Sequence, residues 1–128
     1  MDERKKVLLV DDDPDFVEVN RLVLEQSGFD VVCAYDGEEG LQKARAEAPD
    51  VVVLDVMMGS LDEGFRVSRA LRGSERTKDT PLIMLTAISS ELPLDFEADD
   101  MWLPVDVFLE KPVEPDQLVV EVTKALGQ

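Results

Sequence analysis

The chain has 128 residues, of which 45% are hydrophobic, with a single cysteine, no histidine and a formal net charge of −16. This size suits one domain with its own core, and the missing histidine excludes a Ser-His-Asp triad, a histidine-bearing zinc site and a phosphohistidine carried by the chain itself. The negative charge argues against direct binding to nucleic acid or an anionic membrane, and no apolar run is long enough for a transmembrane helix or a signal peptide, so we expect a soluble cytoplasmic protein that acts on protein partners.

Short apolar runs alternate with segments of helical periodicity, a pattern typical of βα units that wind a parallel sheet with helices on both faces. The first strand is predicted over 6–10. Asp13 then suits a helix N-cap and Pro14 the first helical position, and Gly28 suits the C-terminal end of that helix. The apolar face of the helix is predicted to hold Phe16, Val19, Val23 and Leu24.

The second unit begins with a strand over 31–34, where the single cysteine, Cys33, is read as a small buried thiol without a role. Asp36 and Glu39 have capping-box spacing and predict the start of a helix that stops before Pro49. Its predicted inward residues are Leu41, Ala44 and Ala48.

Three further units follow, with strands predicted over 51–54, 81–85 and 107–109. The third helix is predicted to end by Gly73, and the last helix to begin at Pro115. Between the last two strands, 89–105 contains two prolines and no long apolar stripe, which predicts a fourth helix that is short, displaced or absent.

Polar residues follow the predicted strands where each strand ends. In an open parallel sheet these carboxyl ends border the crevice where ligands bind. Several carboxylates that meet there repel one another unless a hard divalent cation neutralises them, and Mg²⁺ prefers oxygen ligands of this kind. The residues concerned are Asp11, Asp12, Asp13, Asp55, Thr86, Glu110 and Lys111.

Phosphoryl transfer in line needs a nucleophile, a metal and positive charge near the transferred oxygens. Asp55 suits the nucleophile, Lys111 the positive charge and Thr86 a supplementary hydroxyl donor. Taken alone, an acidic strand end is often a simple helix cap, which is how we read Asp13.

The chain resembles the receiver domain of bacterial two-component response regulators over nearly its whole length. The motifs that carry the resemblance are Val10-Asp11-Asp12-Asp13, Leu54-Asp55-Val56-Met57-Met58, Leu85-Thr86-Ala87 and Lys111-Pro112. The resemblance implies that 1–128 form one flavodoxin-like, doubly wound α/β domain with a five-stranded parallel sheet in the order 2-1-3-4-5, here with an atypical or shortened helix 4.

The resemblance also implies a function for the acidic residues. Asp55 would accept a phosphoryl group from the phosphohistidine of a sensor histidine kinase or phosphotransfer protein. Asp12 would bind Mg²⁺ directly, Asp11 through water and Met57 through its backbone carbonyl, and Asp55 would also belong to the metal site. The chain would then signal by conformational change to a downstream protein that the sequence does not name, rather than act as a metabolic enzyme, and whether it forms a homodimer is left open.

The resemblance implies roles for three further residues that do not bind the metal. Thr86 and Lys111 would contact the phosphoryl oxygens. Phe108 occupies the family's aromatic switch position, and Thr86 would couple to it when the domain is phosphorylated. A purely structural place for Phe108 in the core is an equal alternative.

The chain departs from the family pattern after Asp55, where Gly59 replaces the usual proline and Gly64 comes one residue late. These departures and the irregular 89–105 segment keep open a rival hypothesis, a receiver-like docking module that no longer uses phosphorylation. A phosphohydrolase with an aspartyl nucleophile is a weaker rival, because Met57 stands where its second Asp would be expected.

Two charged regions carry no assigned role. The basic residues Arg66, Arg69, Arg72, Arg76 and Lys78 form either a solvated helix face or a contact for an acidic partner. The acidic stretch 79–110 serves either solubility or the docking of a basic partner.

Overall fold

Residues 4–55, 61–86, 107–110 and 114–127 are described by the computed structural model, and they form a parallel β-sheet with helices on both faces. The strands are β1 (Lys6–Val10), β2 (Asp30–Ala34), β3 (Val51–Asp55), β4 (Leu82–Thr86) and β5 (Val107–Glu110). The helices are α1 (Pro14–Gln26), α2 (Gly37–Glu47), α3 (Leu61–Arg72) and α4 (Pro115–Ala125). The strand order β2-β1-β3-β4-β5, with every pair parallel, agrees with the predicted doubly wound topology.

The core lies in two layers, one on each face of the sheet. Successive side chains of a strand point to opposite faces, so Leu8 and Val10 join one layer while Val7 and Leu9 join the other. Helices α2 and α3 cover the first layer through Leu41, Ala44, Val67 and Leu71. Helices α1 and α4 cover the second through Val17, Leu24, Leu118 and Val122. Because both faces are covered, the strands are apolar throughout rather than alternating.

Helix α1 begins and ends as predicted. The Asp13 side chain accepts hydrogen bonds from two first-turn N–H groups, Pro14 is the first helical residue, and Gly28 has a φ of +102° just beyond the C-cap. The predicted inward face was wrong in one respect, because Val19 is 50% exposed while Asn20 is 2% exposed. The predicted inward face contained only apolar residues, so it included the exposed Val19 and left out the buried Asn20.

Helix α2 uses the predicted capping residues in a modified form. The Asp36 side chain accepts from the Glu39 N–H at 2.8 Å, and the Glu39 side chain accepts from the Tyr35 N–H at 2.8 Å. The predicted inward position of Ala48 was wrong, because Ala48 is the exposed C-cap with a φ of +50°. The helix therefore ends at Glu47, and its left-handed cap Ala48 directly precedes Pro49.

The structure describes the ends of α3 and α4 but not the segment predicted to hold a helix between the last two strands. Helix α3 ends at Arg72, next to the predicted Gly73. Helix α4, which is the last helix of the prediction, begins at Pro115 as predicted. The 89–105 segment, with the prediction of a short, displaced or absent helix, lies outside the described residues. None of the described helices combines the length and apolar character needed to cross a membrane.

Candidate metal centre

Three carboxylates meet at the carboxyl end of the sheet. Asp11 directly follows β1, Asp55 ends the neighbouring strand β3, and Val10 and Leu54 are paired just before them. Asp11, Asp12 and Asp55 each offer a carboxylate oxygen, and these oxygens lie within 4.8 Å of one another. The rule that ligand groups gather at the carboxyl ends of parallel strands thus placed these residues together correctly.

The loop after β1 is held on both sides of Asp11. The Asp11 N–H donates to the carbonyl oxygen of Ala34 at 3.1 Å, which continues the pairing of β1 with β2 by one residue. The Asp11 carboxylate accepts from the Asp13 N–H at 3.0 Å. Asp13 itself is occupied as the N-cap of α1, which confirms its predicted structural role. Asp11 and Asp12 are thereby left to line the site.

The burial of the three carboxylates differs in a way that suits a cation. Asp11 is 1% exposed and Asp55 3% exposed, whereas Asp12 is exposed to solvent. Two buried like charges at this separation repel each other strongly unless positive charge lies between or beside them. The donors are all oxygen atoms, and one side faces solvent, so the residues fit Mg²⁺, which binds one or two carboxylates and retains several waters.

The other predicted site residues are described only in part. Thr86 is the last residue of β4, one position beyond Leu85, which pairs with Asp55. Phe108 lies on β5 opposite Met84. The side chains of Thr86 and Phe108 lie outside the described part of the structure, as do Met57 and Lys111 entirely. The backbone register therefore places Thr86 at the same carboxyl end of the sheet as Asp55.

The sequence patterns did not indicate that two side chains of α2, Lys43 and Glu39, hold the end of the edge strand β2. Lys43 donates to the Cys33 carbonyl oxygen at 2.7 Å, and its ammonium lies 3.1 Å from the Glu39 carboxylate. The Cys33 thiol is half-buried rather than fully buried, and burial raises its pKa, in keeping with an unreactive thiol. The only sequence signal for Lys43 was its spacing of four residues from Glu39 on α2.

The basic cluster has a partly structural explanation. The Arg72 guanidinium donates to the carbonyl oxygens of Thr80 at 2.6 Å and Lys78 at 3.3 Å, which fastens the turn after α3. The other members of the cluster, Arg66, Arg69, Arg76 and Lys78, are exposed. An acidic partner for them stays an open alternative.

Residues 7–123 match the family model described as the response regulator receiver domain. The chain is 40% identical over 126 residues to the alkaline phosphatase synthesis transcriptional regulatory protein PhoP of Bacillus subtilis, covering 95% of this chain and 48% of that protein. It is 35% identical over 125 residues to the DNA-binding dual master transcriptional regulator RpaA of Synechocystis, covering 94% and 48%. The chain thus spans about half the length of the curated relatives it matches.

Among solved structures, the chain is similar to the chemotaxis response regulator CheY4 of Vibrio cholerae. The TM-score is 0.84 at 30% identity, and the match covers 97% of this chain and 100% of that one. It is also similar to the receiver domain of the Francisella response regulator 1452, with a TM-score of 0.82 at 29% identity, covering 97% and 98%. Both matches therefore cover nearly the whole length of this chain.

Proposed function

Because this chain belongs to the response regulator receiver domain family of two-component signalling, we propose that it is switched by phosphorylation of Asp55 in the presence of Mg²⁺. The proposed donor is the phosphohistidine of a sensor histidine kinase or phosphotransfer protein. The proposed receiver unit comprises the whole chain, and the cytoplasm is its proposed location.

One observation carries the proposal. Asp55 sits at the end of a buried strand, 3% exposed, with carboxylate oxygens of Asp11 and Asp12 within 4.8 Å of its own. A carboxylate in this position serves no purpose as a cap for α3, because α3 starts only at Leu61. A divalent cation bound by the cluster would offset the repulsion among these carboxylates.

The proposed step forms one bond and breaks one bond. An Asp55 carboxylate oxygen attacks the phosphorus of the donor, a new O–P bond forms, and the P–N bond to the donor imidazole breaks with its electron pair on nitrogen. Mg²⁺, when bound, would neutralise charge on the transferred oxygens. Asp11 and Asp12 would hold the metal, and the exposed side of Asp12 leaves room for the donor to approach.

The remaining site residues are proposed on family grounds and on backbone position. Met57 would supply a backbone carbonyl ligand, and Lys111 would contact the phosphoryl oxygens. Thr86 ends β4, whose Leu85 pairs with Asp55, and this backbone position supports the proposal that its hydroxyl would donate to the same oxygens. Phe108, on the edge strand β5, would act as the aromatic switch that responds to this change.

The downstream partner is proposed as a protein, and direct binding of nucleic acid or membrane by this chain is not proposed because of its charge of −16. The curated relatives are named as transcriptional regulators and are about twice as long as this chain. A transcriptional output is therefore a further part of the proposal.

The test is intact-mass measurement after incubation with acetyl phosphate and Mg²⁺. We expect a single phosphoryl adduct on the wild-type chain, no adduct on Asp55→Asn, and an unchanged adduct on Asp15→Asn, which removes an exposed carboxylate from the nearby first turn of α1. If no donor yields an adduct, the docking module without phosphorylation replaces this proposal. Sustained turnover of small phosphate esters would instead favour a phosphohydrolase.

A further inference from the structure

Among the strands that the structure describes, β2 lies at the edge of the sheet and pairs with β1 alone. An edge strand leaves every other backbone carbonyl without a partner strand. At Cys33, the Lys43 ammonium takes the place of a partner strand and donates to the carbonyl oxygen at 2.7 Å. At the next residue, Ala34, the carbonyl oxygen points the other way and accepts from the Asp11 N–H at 3.1 Å.

Residues 33–35 form the exit of β2, and Tyr35, the third of them, is also held by a hydrogen bond. The Tyr35 N–H donates to one Glu39 carboxylate oxygen at 2.8 Å, and the other oxygen lies 3.1 Å from the Lys43 ammonium. Cys33, Ala34 and Tyr35 are therefore fixed by Lys43, Asp11 and Glu39 respectively. The exit of β2 thus lies between a charged pair on α2 and the backbone of a candidate metal ligand.

Helix α2 is in turn seated against the strand that leads to that ligand. Gly40 follows Glu39, and a Cβ atom at position 40 would lie 3.0 Å from both γ-methyl carbons of Val10. Val10 is 1% exposed and directly precedes Asp11. The close packing of Gly40 against Val10 therefore holds α2, with Glu39 and Lys43, near the backbone of Asp11.

We propose that Lys43 and Glu39 are positioning residues for the candidate metal centre, because they hold the exit of β2 whose Ala34 carbonyl fixes the backbone of Asp11. This inference rests on the proposed function, in which Asp11 helps to bind Mg²⁺. Magnesium demands near-ideal octahedral geometry, so a shift of one carboxylate lowers its affinity. The Lys43 and Glu39 side chains are 38% and 35% exposed, so their attraction is screened and their effect on overall stability is small.

The test compares Lys43→Met with the wild-type chain in Mg²⁺ titrations by calorimetry at fixed ionic strength. Losing one positive charge from the chain would by itself favour Mg²⁺ binding. Positioning predicts the opposite sign, a Kd raised roughly threefold to tenfold, which is below the ~10–100-fold loss typical when a direct hydrogen-bond partner of a metal ligand is removed.

Two variants separate position from charge. Lys78→Met removes the same charge from an exposed pair with Glu75 in the turn after α3, and we expect its Kd to equal or fall below the wild-type value. Lys43→Arg keeps a donor near the Cys33 carbonyl and should restore most of the affinity. A Lys43→Met protein that binds Mg²⁺ as tightly as Lys78→Met would overturn the inference.

A second readout needs no metal. In the metal-free protein, amide hydrogen exchange at Asp11 should accelerate about threefold or more in Lys43→Met and in Glu39→Gln, while exchange at Val53 in the centre of the sheet stays unchanged. Equal protection of the Asp11 amide in all variants would disprove the positioning role even if Mg²⁺ binds. Failure of the wild-type chain to bind Mg²⁺ would instead disprove the proposed function.

Discussion

Gly40 of α2 lies so close to Val10 of β1 that a Cβ atom at position 40 would crowd the valine side chain. A Cβ atom on Gly40 would stand 3.0 Å from both γ-methyl carbons of Val10. Alanine would improve helix propensity by up to about 1 kcal/mol, but Val10 is 1% exposed and β-branched, so a rotation away from the new Cβ is costly. We expect Gly40→Ala to lower the free energy of unfolding by ~1 to 3 kcal/mol in urea titrations.

Gly73→Ala is the matched control for this prediction. Its added Cβ would meet only backbone oxygens at 3.5 and 3.7 Å, which are ordinary contacts. Adding Val10→Ala to Gly40→Ala should show a favourable coupling energy, because the clash disappears with the valine methyls. A Gly40→Ala protein as stable as the wild type would show that α2 is not held at this distance.

Asn20 lies on the buried face of α1. Its Nδ2 donates to the Phe16 carbonyl at 2.8 Å, while its buried Oδ1 has no hydrogen-bond partner among the described residues. Such an acceptor costs ~1 to 3 kcal/mol. Asn20→Leu should therefore raise the free energy of unfolding by about 1 to 2 kcal/mol in urea titrations, with Asn20→Ala gaining less because it leaves a void. A loss of stability in the leucine variant would mean that the amide makes a net favourable contribution.

Local signals in the sequence were sufficient for much of the fold and part of the site. The caps of α1 and α2 depend on residues within a few positions of one another, and the apolar strands differ clearly from the helices around them. Asp11, Asp12 and Asp55 were brought together because strand ends meet at one edge of a parallel sheet.

Features that depend on tertiary structure were missed. Asn20 is buried although asparagine is polar, so the predicted face of α1 included the exposed Val19. Lys43 reaches the Cys33 carbonyl ten residues away, a contact that requires knowledge of where α2 lies on the sheet. The left-handed conformation of Ala48 carries no sequence signature, because glycine is the residue expected there.

Ala48 is a further site for a stability test. Its φ of +50° is unfavourable for a residue with a Cβ atom, and it ends α2 as the C-cap. We expect Ala48→Gly to stabilise the chain by roughly 0.5 to 1 kcal/mol in thermal and urea unfolding. Ala46→Gly, at an exposed position inside the same helix, should destabilise it by a similar amount. Equal effects of the same sign would argue against the left-handed cap.

The bridge at Glu39 predicts a pH dependence of stability. Its pKa is lowered from the ordinary value of 4.5, first because the carboxylate accepts from the Tyr35 N–H and then because it pairs with Lys43. A lowered pKa in the folded state gives a contribution that is present above pH 4.5 and lost as the pH falls through the folded value. Glu39→Gln should thus be less stable than the wild type at pH 7, with a difference that shrinks below pH 4.5. Glu38→Gln, one residue earlier and exposed, should show a smaller difference, and a gap independent of pH would contradict the assignment.

The acidic cluster predicts opposite effects on stability with and without magnesium. Asp11 and Asp55 are both buried, and their carboxylate oxygens lie within 4.8 Å of each other. Removing one charge relieves their repulsion, so Asp11→Asn in EDTA should be more stable than the wild type by on the order of 1 to 3 kcal/mol. Mg²⁺ should raise the wild-type Tm in proportion to the logarithm of its concentration above the Kd, and Asp11→Asn should lose most of that rise. Asp36→Asn, which keeps the cap of α2 and removes an exposed charge, should retain it. A Tm that rises equally in Asp11→Asn would place the magnesium elsewhere on the chain.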